Sequence, residues 1–155
     1  VSGWWIDGCY FADDMYRFAD EPNFASFAAA LRAGNPEAIV AFNPGVRVPI
    51  TPHTGHEDYA AGEVNLDQLP AAVAASSGRW LEYDGSRVQF HILTFLGDSW
   101  CRGERPKWPD EKILALTRQI TGHGGVVTYD VPISKSGRIP APFVEQLRAI
   151  GRGLE

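Results

Sequence analysis

Ala38-Ile39-Val40-Ala41-Phe42-Asn43 is a short, unbroken apolar run that ends in an amide and stops at Pro44-Gly45. Its length suits a strand, and the lack of polar alternation means that both faces are covered. That is the pattern of a parallel strand flanked by helices. Working outward, Gly3-Trp4-Trp5-Ile6-Asp7-Gly8-Cys9-Tyr10 is aromatic and β-rich, and reads as an earlier strand. Between the two, Pro22 opens a helix with Phe24, Phe27, Ala28 and Leu31 at helical spacing, stopped by Gly34-Asn35-Pro36.

Residues 46–79 are irregular, with His53, the stretch His56-Glu57-Asp58-Tyr59, then Gly62-Glu63, and a short helix expected over Leu69 to Ala75. A loop this long inside a compact domain is functional or hides an element. Strands follow at 80–83 and 88–96 around the turn signal Asp84-Gly85. Asp110 reads as the N-cap of a helix carrying Ile113, Leu116 and Ile120 on one face. Residues 125–131 form another buried strand, and Pro142 opens a last helix with Phe143, Leu147, Ile150 and Leu154.

Strand, helix, strand, long loop, strand, helix, strand, helix is the order of an α/β fold with a parallel sheet, spanning residues 1–155 as a single unit. No G-x-G-x-x-G follows the first strand and no Walker loop is present, which disfavours a nucleotide-binding doubly wound fold. Barrel-type packing is the better expectation, but four main strands cannot close an eight-stranded barrel. A chain that opens on Val1 and runs at once into a core strand is expected to be a fragment or a processed piece. A self-associating barrel is a further reading.

Hydrophobic residues make up 45% of the 155 and charged residues 21%, as in ordinary globular chains. The net charge of -5 and the absence of a dense basic cluster argue against nucleic acid as a partner. No apolar run approaches the roughly 20 residues of a membrane span. Cys9 and Cys101 have neither a C-x-x-C nor a zinc-ligand spacing, and are expected as buried thiols rather than a disulfide. His53, His56, His91 and His123 lack metal-ligand spacing, so no metal is expected. His53 and His56 read as ligand contacts, and His91 as a satisfied strand residue.

In parallel α/β folds, reactive side chains gather at the carboxyl ends of strands. Asp7, Asn43, Asp98 and Asp130 stand at such ends. Asp7, directly after Trp-Trp-Ile, must find partners or line a cleft, because an unpaired buried charge costs several kcal/mol. If Asp7 acts as a nucleophile or base, a second carboxylate is the usual partner that gives or takes the proton. Glu57, Asp58, Glu63 and Glu104 are the loop acids from which one could come, and Asp130 reads equally as structural or catalytic. Trp4, Trp5, Tyr10, Tyr59, Trp100 and Trp108 fall on strand ends or loops, where rings can stack on the apolar faces of sugars or simply fill a core.

The run Gly3 to Gly8 resembles the α-L-fucosidase strand that ends in the nucleophilic aspartate. Phe95-Leu96-Gly97-Asp98-Ser99-Trp100 is similar to that family's later strand ending in Ser-Trp. The segment from Ile113 to Gly151 follows its closing pattern of helix, Gly124-Gly125 turn, strand, Pro132, Gly137, Ile139-Pro140 and helix. The strand from Gly124 to Pro132 departs from the family's Gly-Asn-Leu-Leu-Leu-Asn-x-Gly-Pro, which marks a divergent branch. The family's histidine-bearing early strands have no counterpart here.

The resemblance implies the carboxy-terminal half of a (β/α)8 TIM-type catalytic barrel. It implies a retaining glycoside hydrolase without cofactor, an extracellular or periplasmic location and a carbohydrate substrate. Asp7 is then the nucleophile, and Glu63 and Glu57 are the first choices for acid/base. Trp5, Asn43, His56, Tyr59 and Trp100 are the expected substrate contacts. A non-catalytic carbohydrate-binding or structural barrel is the alternative.

Overall fold

The computed structural model describes residues 1–9, 16, 18–76 and 78–155. Tyr10, expected at a strand end, lies outside the described residues. The chain folds as β1 (Gly3–Ile6), α1 (Phe24–Arg32), β2 (Ile39–Phe42), α2 (Leu69–Ala74), β3 (Trp80–Tyr83), β4 (Ser86–Gln89), β5 (His91–Phe95), α3 (Asp110–Gly122), β6 (Val126–Asp130) and α4 (Ala141–Leu154).

β1 pairs in parallel with β2, Gly3 opposite Ile39 and Ile6 opposite Phe42. β5 pairs in parallel with β6, from His91 opposite Val126 to Phe95 opposite Asp130. β3 and β4 form a separate antiparallel hairpin. Its Asp84-Gly85 turn has positive φ at both residues (45° and 77°), the geometry that this dipeptide favours in two-residue hairpins.

The irregular loop does hide an element. Residues 58–64 run parallel to β5, with Tyr59 bridged to Gln89 and Glu63 to Leu93. Ala60 N–H donates to Gln89 O (3.0 Å) and Leu93 N–H to Gly62 O (2.9 Å). On the other side Asp58 N–H donates to Val40 O (2.9 Å), so residues 58–64 link the two parallel pairs. The parallel segments therefore follow one another in sequence order: β1, β2, 58–64, β5, β6. This strand order lacks the reversal found in doubly wound sheets.

Along β2 the burial expected of a strand covered on both faces is visible, with Val40, Ala41 and Phe42 all inaccessible. Val40 and Phe42 are fully buried against Phe24 and Ala28 of α1, with Trp4 and Ile6 of β1 beside them. Burying side chains of this kind contributes about 1.5–3 kcal/mol each. A larger core joins Val64, Leu66, Ile92, Ile113, Ile120, Phe143 and Ile150, with Val127, Tyr129 and Val131 packed on it. Because successive side chains alternate, Trp5, Asp7, Ala41, Asn43, Glu63, Leu93, Thr128 and Asp130 are left on the face away from the helices.

Some boundaries differ from the sequence expectation. Pro109 is the N-cap of α3 and Asp110 its first residue. An acidic side chain is as favourable in the first helical turn as at the cap, because both face the positive end of the helix dipole. The expected strand 88–96 is two strands, broken at Phe90, which turns from the hairpin into the parallel layer. Asn23, following Pro22, caps α1 through a reciprocal pair with Ser26. Both cysteines are free thiols, and Cys101 is exposed rather than buried. No helix of the described residues is long and apolar enough to cross a membrane.

Candidate active site

Asp7 directly follows β1, Asn43 directly follows β2, and Glu63 lies at the same end of the 58–64 segment. The Asn43 side-chain amide joins the other two: its Nδ2 donates to Asp7 Oδ1 at 2.9 Å and to Glu63 Oε2 at 2.5 Å. The orientation of that amide is fixed by chemistry. Its Oδ1 accepts the Gly45 N–H at 3.0 Å, while its NH2 faces two carboxylates, so a flipped amide would lose all three bonds. Its backbone is held as well, with Asn43 N–H on Ile6 O (2.8 Å) and Asn43 O under the Cys9 N–H (3.1 Å).

Asn43 is fully buried, Glu63 half-buried and Asp7 exposed. Asp7 Oδ1 also accepts the Gly8 N–H at 2.8 Å, and Gly8 adopts φ 82°, which a side chain would resist. Gly62, before Glu63, has φ 66°, and a Cβ there would stand 2.0 Å from His91 O. The backbone at Glu63 is thus seated directly on β5.

Trp5 shares the face of Asp7 and spans β2 above the small Ala41, its Nε1 donating to Ala61 O at 3.2 Å. Tyr59 lies at the opposite, amino-terminal end of the same face. Its hydroxyl donates to Trp4 O (3.0 Å), its ring meets His91 edge-on at 5.3 Å, and burial pushes its pKa up. It lines a recess of about 430 Å³ with Ile39, Gln89, His91, Val126 and Thr128. Tyr59 is therefore not brought to Asp7. Trp100, in the loop after β5, is half-buried and packs edge-on against Phe95 at 5.0 Å.

Glu57 takes a different position. Its carboxylate is buried and accepts three backbone N–H groups, from Phe42 (2.9 Å), His53 (2.6 Å) and Thr54 (2.9 Å). Burial pushes its pKa up to about 7, against the three N–H donors that favour the charged form. Its neighbour Asp58 accepts the Val40 N–H (2.8 Å) and the Arg32 guanidinium (2.6 Å). These two acids occupy the amide groups of β2 that a strand ladder would otherwise use, which is why the sheet divides at this point. His56 is exposed, and its carbonyl accepts from Arg32. His53 is buried against the ring of Phe24, with Nε2 2.9 Å from Cys9 O.

His91 is held between Ala60 O and the Thr128 hydroxyl, each at 2.9 Å, so Nδ1 donates to the carbonyl and Nε2 accepts. Burial lowers its pKa. Among the described residues no group of three or more His, Cys, Asp or Glu is disposed to hold a metal.

Parallel segments in sequence order, with acids and an amide gathered at the carboxyl ends of adjacent strands, make up an α/β fold that is shared with solved glycoside hydrolases. The chain is similar to the endo-fucoidan hydrolase P5AFcnA from glycoside hydrolase family 107, with TM-score 0.74 and 16% identity, over 100% of this chain and 51% of that one. It is similar to MfFcnA9, an endo-fucoidan hydrolase of the same family, with TM-score 0.73 and 19% identity, over 97% of this chain and 32% of the other. α-L-Fucosidase isoenzyme 1 from Paenibacillus thiaminolyticus is a further neighbour, with TM-score 0.65 and 17% identity, over 98% of this chain and 34% of that one. The chain thus spans about half of the first of these structures and about a third of the other two. No protein-family model and no curated protein sequence matches it.

Proposed function

We propose that this chain supplies part of a (β/α)-barrel catalytic domain of a retaining glycoside hydrolase that cleaves α-L-fucosides. Asp7 attacks the anomeric carbon while the Glu63 carboxylic acid protonates the departing glycosidic oxygen, leaving a glycosyl ester on Asp7. The Glu63 carboxylate then takes a proton from water, whose oxygen attacks the same carbon and releases Asp7.

The observation that carries this reading is the shared amide. Asp7 Oδ1 and Glu63 Oε2 sit on one nitrogen at 2.9 and 2.5 Å. Their separation is therefore below about 5.5 Å, within the range of retaining pairs and short of the roughly 6.5–9.5 Å of inverting ones. Glu63 is preferred to Glu57 because both oxygens of Glu57 are already taken by backbone N–H groups. The fucose-active character of the neighbouring structures supports the choice of sugar.

The test is turnover of 4-nitrophenyl α-L-fucopyranoside beside release of oligosaccharides from a fucan, which separates terminal from internal cleavage. Asp7→Ala should lower kcat/KM on both substrates by about a hundredfold or more, and Glu63→Gln should do so on the fucan, whose sugar leaving group needs the proton. Activity on the fucan retained in Glu63→Gln and abolished in a folded Glu57→Gln would move the acid/base role to Glu57.

A further inference from the structure

Asp130 ends β6 on the same face as Asp7 and Glu63, and the reaction outlined above gives it no part. Both of its oxygens are engaged by one residue in the loop after β5. Oδ2 accepts the Cys101 N–H at 2.5 Å, and Oδ1 accepts from the Cys101 thiol at 3.3 Å. The carboxylate pushes the thiol pKa up, so the sulfur keeps the proton that it donates.

Among the described residues, Cys101 is one of three other than glycine with positive φ, at 55°. It is the third residue of a tight turn, closed by Arg102 N–H on Ser99 O (3.0 Å) and Asp98 N–H on Arg102 O (3.0 Å). That turn position demands positive φ and ordinarily takes glycine or asparagine. A cysteine there carries a backbone penalty that its surroundings must offset. Gly97 is pressed so closely on Arg102 that a Cβ would meet the Arg102 carbonyl oxygen at 2.0 Å, so the loop has little room to rearrange. The residue set by this turn, immediately before Cys101, is Trp100, laid edge-on to Phe95 at the carboxyl end of β5.

We infer that Asp130 is a positioning residue: by holding Cys101 in its left-handed turn, it sets Trp100 as the ring against which the sugar rests. This rests on the fucoside-hydrolase reading and deepens it. The carboxylate acts through the turn and does not touch the reacting atoms.

A mutant cycle on 4-nitrophenyl α-L-fucopyranoside tests it. Trp100→Ala and Asp130→Ala should each raise KM about tenfold, the loss of one stacking contact of about 1.4 kcal/mol, with kcat changed little. The double variant should be no worse than either single one, because both remove the same contact. Cys101→Gly, which forms the turn without strain, should restore KM in the Asp130→Ala background, a rescue that a merely structural Asp130 would not show. If Asp130→Ala fails to fold, Asp130→Asn, which keeps an acceptor for the Cys101 N–H but loses the charge that strengthens it, should raise KM by less, and Cys101→Gly should erase that smaller rise as well.

An unchanged KM in Asp130→Ala, effects that multiply in the double variant, or no rescue by Cys101→Gly would each overturn the inference while leaving the parent reading intact. A wild-type protein that turns over no fucoside would overturn both.

Discussion

Asn43 Nδ2 lies 2.9 Å from Asp7 Oδ1, and the same nitrogen holds Glu63, so one buried amide sets the spacing of two carboxylates from different strands. Replacing Asn43 by Ala removes two hydrogen bonds to charged groups, worth roughly 1.5–3 kcal/mol each. It should lower the urea midpoint and cut kcat at least tenfold. Asn43→Asp keeps the shape but adds a third acid between two others. It should destabilise the protein more at pH 7 than at pH 4, where the introduced carboxyl can take a proton. Equal urea midpoints for Asn43→Asp at the two pH values, relative to wild type, would contradict the bridge.

Gly62→Ala should be among the most damaging single substitutions. The new methyl group would meet His91 O at 2.0 Å, on backbone at φ 66°, and neither strand can yield without moving Glu63. A loss of about 3 kcal/mol or more in chemical denaturation is expected. A near-neutral effect would mean that residues 58–64 do not lie against β5.

Glu57 should reveal itself as a structural acid through pH. Its pKa in the fold, about 7, lies above that of an unfolded glutamate, so the folded state binds the extra proton. Its contribution therefore favours folding increasingly as pH falls from about 7 towards 4.5. Glu57→Gln removes that pH dependence. It also turns an amide NH2 towards a backbone N–H, costing about 1–3 kcal/mol. Urea midpoints of the two proteins at pH 7 and pH 5 measure both effects.

His91 has the opposite sign. Its lowered pKa means that the unfolded chain takes the proton first, so stability is complete above about pH 6.5 and is lost as pH drops below it. His91→Gln keeps a donor for Ala60 O and should abolish this acid-side loss. The two residues partly cancel in the wild type, so the variants should diverge in acid. Relative to wild type, His91→Gln gains stability between pH 6.5 and 5, and Glu57→Gln loses it. Parallel pH curves would refute both assignments.

What the sequence reveals, and what it hides, follows from how each element is stabilised. β1, β2, β6, α3 and α4 are carried by their own apolar periodicity, and each is legible in its residues. The 58–64 segment is not, because Tyr59-Ala60-Ala61-Gly62-Glu63-Val64 has weak strand character and is held mainly by β5 and by the carboxylates of Glu57 and Asp58. A buried acid fed by three backbone amides looks, in sequence, like any solvated loop glutamate. For the same reason Glu57 and Glu63 cannot be told apart until their partners are seen. The clamp between Asp130 and Cys101 joins residues 29 apart, and no local signal points to it beyond a cysteine in a position that suits glycine. Asp7 and Asn43 are visible because each directly follows an apolar strand.

The most direct test of the Asp7–Glu63 account is covalent trapping. A 2-fluoro fucosyl fluoride, whose fluorine slows hydrolysis of the glycosyl ester while its leaving group drives formation, should add one fluorofucosyl unit to the intact protein. Peptide mapping should then locate it on Asp7, with no adduct in Asp7→Ala. Turnover of aryl fucoside without an adduct, or an adduct on any other carboxylate, would contradict it.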